Sequence, residues 1–379
     1  MDPEFVDIAP FNDEEASAAL ARVANHPNVP WISKYIFPDK PETFLRDILK
    51  NIHSVDEFQH IVMSKAIEWV IETTVHNFSY EGISKLAGME GKYLLMSNHR
   101  DIILDPAFMQ IILHRNHLPL TQIAVGDNLL KQKTVELLIR SNRMIKVIRG
   151  ISARELYNSS QLLSKYIRET ITSGESSIWI AQRQGRTKDG MDATEQGLLK
   201  MLDMSGKEDF VQNYLELNLV PVSISYEYEP CDNLKARELL ISRTQKYVKG
   251  EYEDLQSIVQ GIRQPKGNVH INIGEPLTEA ELREASLCDK NDRYQSIRHA
   301  VDRRVISGYK LWKTNYMAYD LVNGTTRFAD EYTPEDLQAF QGYVAHQLGA
   351  LEPELDQEAL RDIFLRIYSN PVVAKDTLV

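Results

Sequence analysis

From about Gly88 to Gly274, short apolar or β-branched runs alternate with longer amphipathic ones, and no other feature of the chain limits its fold as tightly. The runs near 92–97, 120–125, 144–148, 177–181, 219–228 and 268–273 have the length and residue types of buried strands. Between them, 103–114, 129–141, 153–172, 194–204, 207–216 and 232–244 carry helical spacing. Strands that take turns with helices predict an α/β domain over residues 86–280, a layered mixed sheet flanked by helices.

The flanks read differently. Residues 1–85 form a helical N-terminal region: Asn12-Asp13-Glu14-Glu15 caps an Ala-rich helix, and prolines 27, 30, 38 and 41 break the chain. Thr43 to Ile52 and Val55 to Val75 follow as helices, the second with an apolar stripe at Phe58, Val62, Ile67, Val70 and Ile71. Residues 281–379 form a helical C-terminal extension, with helices near 291–319, 334–349 and 353–369. Met1 to Phe5 reads as a cloning remnant and is left out of the fold. At 379 residues the chain has room for a large core. A net charge of −11 argues against broad nucleic-acid binding, so any anion site is local. Cys231 and Cys288 are too few for a disulfide framework and point to a reducing cytoplasm. No signal peptide or bilayer-crossing run is expected.

Two strand ends carry the chemistry. The first strand runs into Ser97-Asn98-His99-Arg100-Asp101-Ile102-Ile103-Leu104-Asp105-Pro106. An imidazole at a strand end, with a carboxylate a turn or so later, can be held in one tautomer and take a proton from a hydroxyl. Asp105 is the first choice as partner, with Asp101 as rival. The strand Ile178-Trp179-Ile180-Ala181 enters Gln182-Arg183-Gln184-Gly185-Arg186-Thr187-Lys188, a turn with fixed cations suited to a phosphate. Gly185 is expected to let backbone approach the anion. Met144-Ile145-Lys146-Val147-Ile148-Arg149-Gly150 adds two more cations. Neither cysteine sits in an activating motif, and no cluster suggests a metal.

Together with Leu219-Val220-Pro221-Val222-Ser223-Ile224, these segments resemble the glycerolipid acyltransferases, in the family's order and over roughly residues 85–280. The wording of Asn98–Pro106 and Ile178–Arg186 is most similar to soluble plastid-type glycerol-3-phosphate acyltransferases. Five residues separate His99 from Asp105 where the family has four, and Arg183 stands at the position of the family's glutamate. The resemblance implies His99 as general base, Asp105 as its orienter, and Arg149 and Arg186 on the acceptor phosphate, with Gly185, Arg183 and Lys146 nearby. It implies acyl-CoA or acyl carrier protein as donor, glycerol-3-phosphate or a lysophospholipid such as lysophosphatidate as acceptor, and no cofactor or metal. A non-catalytic lipid- or anion-binding protein on the same scaffold is the alternative, and a serine hydrolase using Ser97 a smaller one. Arg303 to Tyr319 mixes cations with aromatic residues and admits two readings. It is either a peripheral face on the inner side of a membrane or a core helix with a charged rim.

Overall fold

A computed structural model describes residues 2–130, 132–149 and 152–378; Gly150 of the Met144–Gly150 block lies outside them. Its centre is a sheet of seven described strands: β1 (Val75–Glu81), β2 (Leu94–Ser97), β3 (Gln122–Gly126), β4 (Met144–Val147), β5 (Ile178–Ala181), β6 (Leu219–Tyr226) and β7 (Gly267–Ile273). Their order is β1-β7-β6-β2-β5-β3-β4. Only β6 and β7 pair antiparallel; every other neighbouring pair is parallel. The sheet is therefore mixed, as the alternating pattern predicted. Parallel pairing also brings the carboxyl ends of β2, β3, β4, β5 and β6 to one edge. In α/β sheets that edge is where ligands bind.

Each face of the sheet has its own core, because successive side chains point to opposite sides. Leu94, Met96, Ile145, Ile178 and Ile180 pack under helices Ala153–Thr172, Gln196–Asp203 and Asp292–Gly308. Leu95, Ile123, Trp179, Val220 and Ile271 pack under Ser64–Thr74 and Leu104–Arg115. The N-terminal helices close a third cluster around Leu20, Leu45, Leu49 and Phe58. The C-terminal helices close a fourth around Phe340, Phe364 and Tyr368.

Four expectations need correction. Strand β1 falls inside the stretch 1–85 read as helical. It is an edge strand whose side chains are exposed or half-buried, so no apolar run announces it. A helix at Glu253–Arg263 went unpredicted, although Leu255, Ile258, Val259 and Ile262 have helical spacing. Phe5, left out of the fold above, is part of it: the ring is buried edge-on against Tyr166, with ring centroids 5.1 Å apart. The helix expected over 291–319 breaks after Gly308, and Tyr309, Trp312 and Met317 are all buried. That burial removes the Arg303–Tyr319 stretch as a membrane face. No helix among the described residues is long and apolar enough to cross a membrane.

Among the contacts that tie the C-terminal helices to the sheet domain is a buried carboxylate. Asp232 accepts from the hydroxyls of Tyr343 and Tyr368, each at 2.6 Å, and burial pushes its acid up to about 6. Its unfolded value lies near 4, so the folded state binds the proton more tightly. The stabilisation Asp232 gives is full below pH 4 and is lost as pH rises from about 4 through 6, an effect on the order of 3 kcal/mol. Chemical denaturation of wild type against Asp232→Asn across that window tests this. The difference in unfolding free energy is expected to change with pH in that sense, and a pH-independent difference would refute it.

Candidate active site

His99 lies two residues beyond Ser97, the last residue of β2, the strand at the middle of the sheet, with β5 on one side and β6 on the other. Its Nδ1 lies 2.9 Å from Asp105 Oδ2. The extra residue between them is absorbed by a loop that wraps the carboxylate. The backbone N–H groups of Arg100 and Asp101 donate to the same Oδ2 at 2.5 and 2.9 Å. Asp105 also sits in the first turn of the helix Leu104–Arg115, at the positive end of the helix dipole. Its other oxygen accepts from the Tyr226 hydroxyl at 2.7 Å. A carboxylate held by four donors has little freedom to move, and it fixes the imidazole with Nδ1 inward. The remaining nitrogen, Nε2, is the one available for proton transfer.

Asp101, the rival partner, does something else. Its Oδ1 accepts from the N–H groups of Ile103 and Leu104 at 2.9 and 2.8 Å, capping the start of the helix. Burial, and then the charge of Asp105, raise its acid above the ordinary range. Arg100 is also removed from any contact with substrate: its guanidinium is 1% exposed and pairs with Asp192 at 2.7 Å and Glu229 at 3.4 Å. Ser97 is buried at the end of β2 and does not line the cavity described next.

A cavity of about 690 Å3 opens at this edge of the sheet and is bordered by His99. Arg149, Arg183, Gly185, Arg186 and Lys188 border it too, so one space brings together cations from the ends of β4 and β5. Apolar residues of the Ala153–Thr172 and Gln196–Asp203 helices, among them Leu163, Leu198 and Met201, form another wall. Arg186 is 9% exposed; its Nη2 donates to Ser257 at 3.3 Å while its Nη1 is buried without a partner. Arg183 likewise has a buried Nε with no partner. Both arginines border the cavity, and a buried guanidinium nitrogen without a partner carries a desolvation cost that an anion can relieve. Arg149 is exposed at the rim. Lys188 is already paired, with Glu238.

Two expectations about this region change. Lys146 does not border the cavity: alternation along β4 turns it away from Val147, and its charge acts on Glu136 instead. Gly185 has φ +74°, and open space surrounds the position a Cβ would take. Its role is therefore the left-handed turn that carries the chain from Arg183 to Arg186, rather than close approach. Behind the cavity, Arg186 and Asp105 are held by residues that motif spacing did not reveal. Ser257 comes from the unpredicted Glu253–Arg263 helix, and Tyr226 reaches Asp105 from the far end of β6. Both contacts join positions more than seventy residues apart in sequence.

A second, apolar cavity of about 270 Å3 lies across the sheet, lined by Phe58, Met63, Ile67, Ile111, Leu138 and Ile139 among others. It shares Ile102, Pro106, Ile123, Val125 and Leu129 with the first. The wall between the two thus includes residues on either side of Asp105.

Residues 72–226 match the family model described as Acyltransferase. The dihydroxyacetone phosphate acyltransferase of Mus musculus is 23% identical over 300 residues, covering 78% of this chain and 38% of that protein. The Bos taurus protein of the same description is 26% identical over 205 residues, covering 53% of this chain and 29% of its own. The chain thus spans well under half the length of these relatives. A crystal structure of the 1-acyl-sn-glycerophosphate acyltransferase PlsC from Thermotoga maritima aligns at 14% identity over 78% of this chain and 95% of that one. Its TM-score is 0.37, too low to bear on the argument.

Proposed function

We propose that the chain, whose residues 72–226 match the Acyltransferase family model, is a glycerolipid acyltransferase that moves a fatty acyl group from a thioester to a phosphate-bearing alcohol. The observation that carries the reading is one cavity bordered by His99, which Asp105 holds, and by two arginines that each have a guanidinium nitrogen without a partner. The acceptor's phosphate binds Arg186 and Arg183, with Arg149 at the rim, and this places its hydroxyl against His99 Nε2. As that oxygen attacks the thioester carbonyl, the O–H bond breaks and its proton passes to the imidazole. Collapse of the tetrahedral adduct breaks the C–S bond, and the imidazolium returns the proton to the departing thiolate. The donor is acyl-CoA or acyl carrier protein. The acceptor is glycerol-3-phosphate or lysophosphatidate, or dihydroxyacetone phosphate as the relatives' descriptions name it.

Purified protein mixed with palmitoyl-CoA and each acceptor in turn tests this, with free thiol and lipid product both measured. Thiol release that requires an acceptor, with matching ester formed, is the expected result. Release without an acceptor would indicate hydrolysis, and binding without release would indicate a lipid- or anion-binding protein.

The apolar cavity behind Ile102 and Pro106 receives the acyl chain in this reading. Met63, on its wall, sits in the one π-helical turn described in the chain, Gln59–Met63. Met63→Trp is expected to exclude terminal methylenes, each costing about 0.8 kcal/mol of burial, or about fourfold in kcat/KM. Competition between acyl-CoA chains of different length reads the effect: preference shifts to shorter chains, and an unchanged profile would place the chain elsewhere.

A further inference from the structure

Asp192 takes no part in the chemistry above and does not border the cavity. It is 9% exposed, and its two oxygens join the two halves of the site. Oδ2 accepts from Asn98 Nδ2 at 2.8 Å and from Arg100 Nη2 at 2.7 Å, the residues on either side of His99. Oδ1 accepts from the Thr187 hydroxyl at 2.9 Å, and Thr187 directly follows Arg186. The Thr187 N–H then donates to the His99 carbonyl at 2.7 Å, closing a ring of contacts between base and cation loop. The loop returns through Gly190, at φ +82°, where a Cβ would lie 2.2 Å from the carbonyl of Ile367 in the C-terminal helix. Arg100 is stacked over the ring of Tyr309, 5.0 Å from its centroid, and donates to the Gly190 carbonyl at 3.2 Å. The C-terminal extension thus backs this junction.

We propose that Asp192 is a positioning residue that sets the spacing between the His99 imidazole and the Arg186 guanidinium, coupling acceptor binding to proton transfer. The proposal rests on the acyl-transfer reading of the site. A carboxylate is suited to the task because it has only acceptors and meets three donors here. An amide of the same shape can turn its NH2 to the Thr187 hydroxyl, which also accepts, but it loses the charge that holds the Arg100 guanidinium and so loosens the His99 side of the junction.

The test is a double-mutant cycle with palmitoyl-CoA and glycerol-3-phosphate or lysophosphatidate, whichever the wild type uses. Asp192→Asn is expected to lower kcat about 10- to 100-fold and to raise the acceptor KM about 10-fold, the palmitoyl-CoA KM staying within a factor of two. In an Arg186→Ala background, the same change is expected to leave the acceptor KM unaltered, because the cation it positions is gone. Thr187→Val cuts only the loop side of the junction, and it is expected to raise the acceptor KM with kcat within threefold of wild type. This variant carries the test if Asp192→Asn does not fold. Equal losses from Asp192→Asn with and without Arg186 would reduce Asp192 to a structural residue. So would activity per folded molecule equal to wild type, and each result would overturn the proposal. A wild type that transfers no acyl group to any acceptor would instead bring down the reading beneath it, and the proposal with it.

Discussion

His99→Ala is expected to lower acceptor-dependent thiol release by about 10^3- to 10^4-fold, near the upper end of what a positioned general base contributes. The expectation is large because the base's whole environment is built around its orientation. Asp105 gives the imidazole an acceptor for Nδ1, and two backbone N–H groups and Tyr226 hold Asp105 in turn. Removing the ring leaves that carboxylate three of its four donors, so the loop has reason to keep its shape. The fold has little else to lose, since the ring meets Trp179 edge-on at 5.9 Å and its side chain is 14% exposed. A stability cost of about 1–2 kcal/mol is expected, leaving the variant folded at assay temperature. Activity within tenfold of wild type in a folded His99→Ala protein would exclude the histidine as base. If the variant still binds the acceptor while turnover is lost, binding and chemistry are separated at that residue.

Much of this site could be read from the chain because its parts lie at strand ends. A run such as Tyr93–Met96 or Ile178–Ala181 is apolar because both faces of the sheet are covered, and the polar residue after it must emerge at the sheet's edge. That logic located His99, Arg183 and Arg186. It could not orient Lys146, whose facing depends on a one-residue register in β4. It could not see β1 either, because an edge strand with solvent on one side needs no apolar run. Contacts of Asp105 with Tyr226 and of Asp192 with Asn98 escaped for another reason. Each joins residues roughly a hundred apart, and nothing local in sequence marks either partner. The extra residue between His99 and Asp105 shows the reverse case. Counted along the chain it departs from the family, yet the loop closes because Asp101 caps the helix that carries Asp105.

Arg186→Ala is expected to lower kcat/KM for the acceptor by about 10^2- to 10^3-fold, mostly through KM, while leaving the ligand-free protein no less stable. Both halves follow from the same feature. A guanidinium 9% exposed, with one hydrogen bond at 3.3 Å and Nη1 unpartnered, bears the cost of desolvation without full compensation. Asp101 and Asp254 attract it from a distance, but no ion pair with Arg186 forms among the described residues. Deleting such a group costs the empty protein little. It costs the complex the charge-assisted bonds that a phosphate would make, worth about 1.5–3 kcal/mol each. Arg186→Lys keeps the charge and loses the planar fork, so an intermediate loss of about 10- to 30-fold is expected. Thermal unfolding separates a ligand-binding arginine from a structural one. Glycerol-3-phosphate should raise the Tm of wild type by mass action and leave that of Arg186→Ala unmoved. A ligand-free Tm well below wild type, with the acceptor KM preserved, would instead make Arg186 a brace between the β5 loop and the Glu253–Arg263 helix through Ser257. The anion would then have to bind at Arg149 and Arg183 alone.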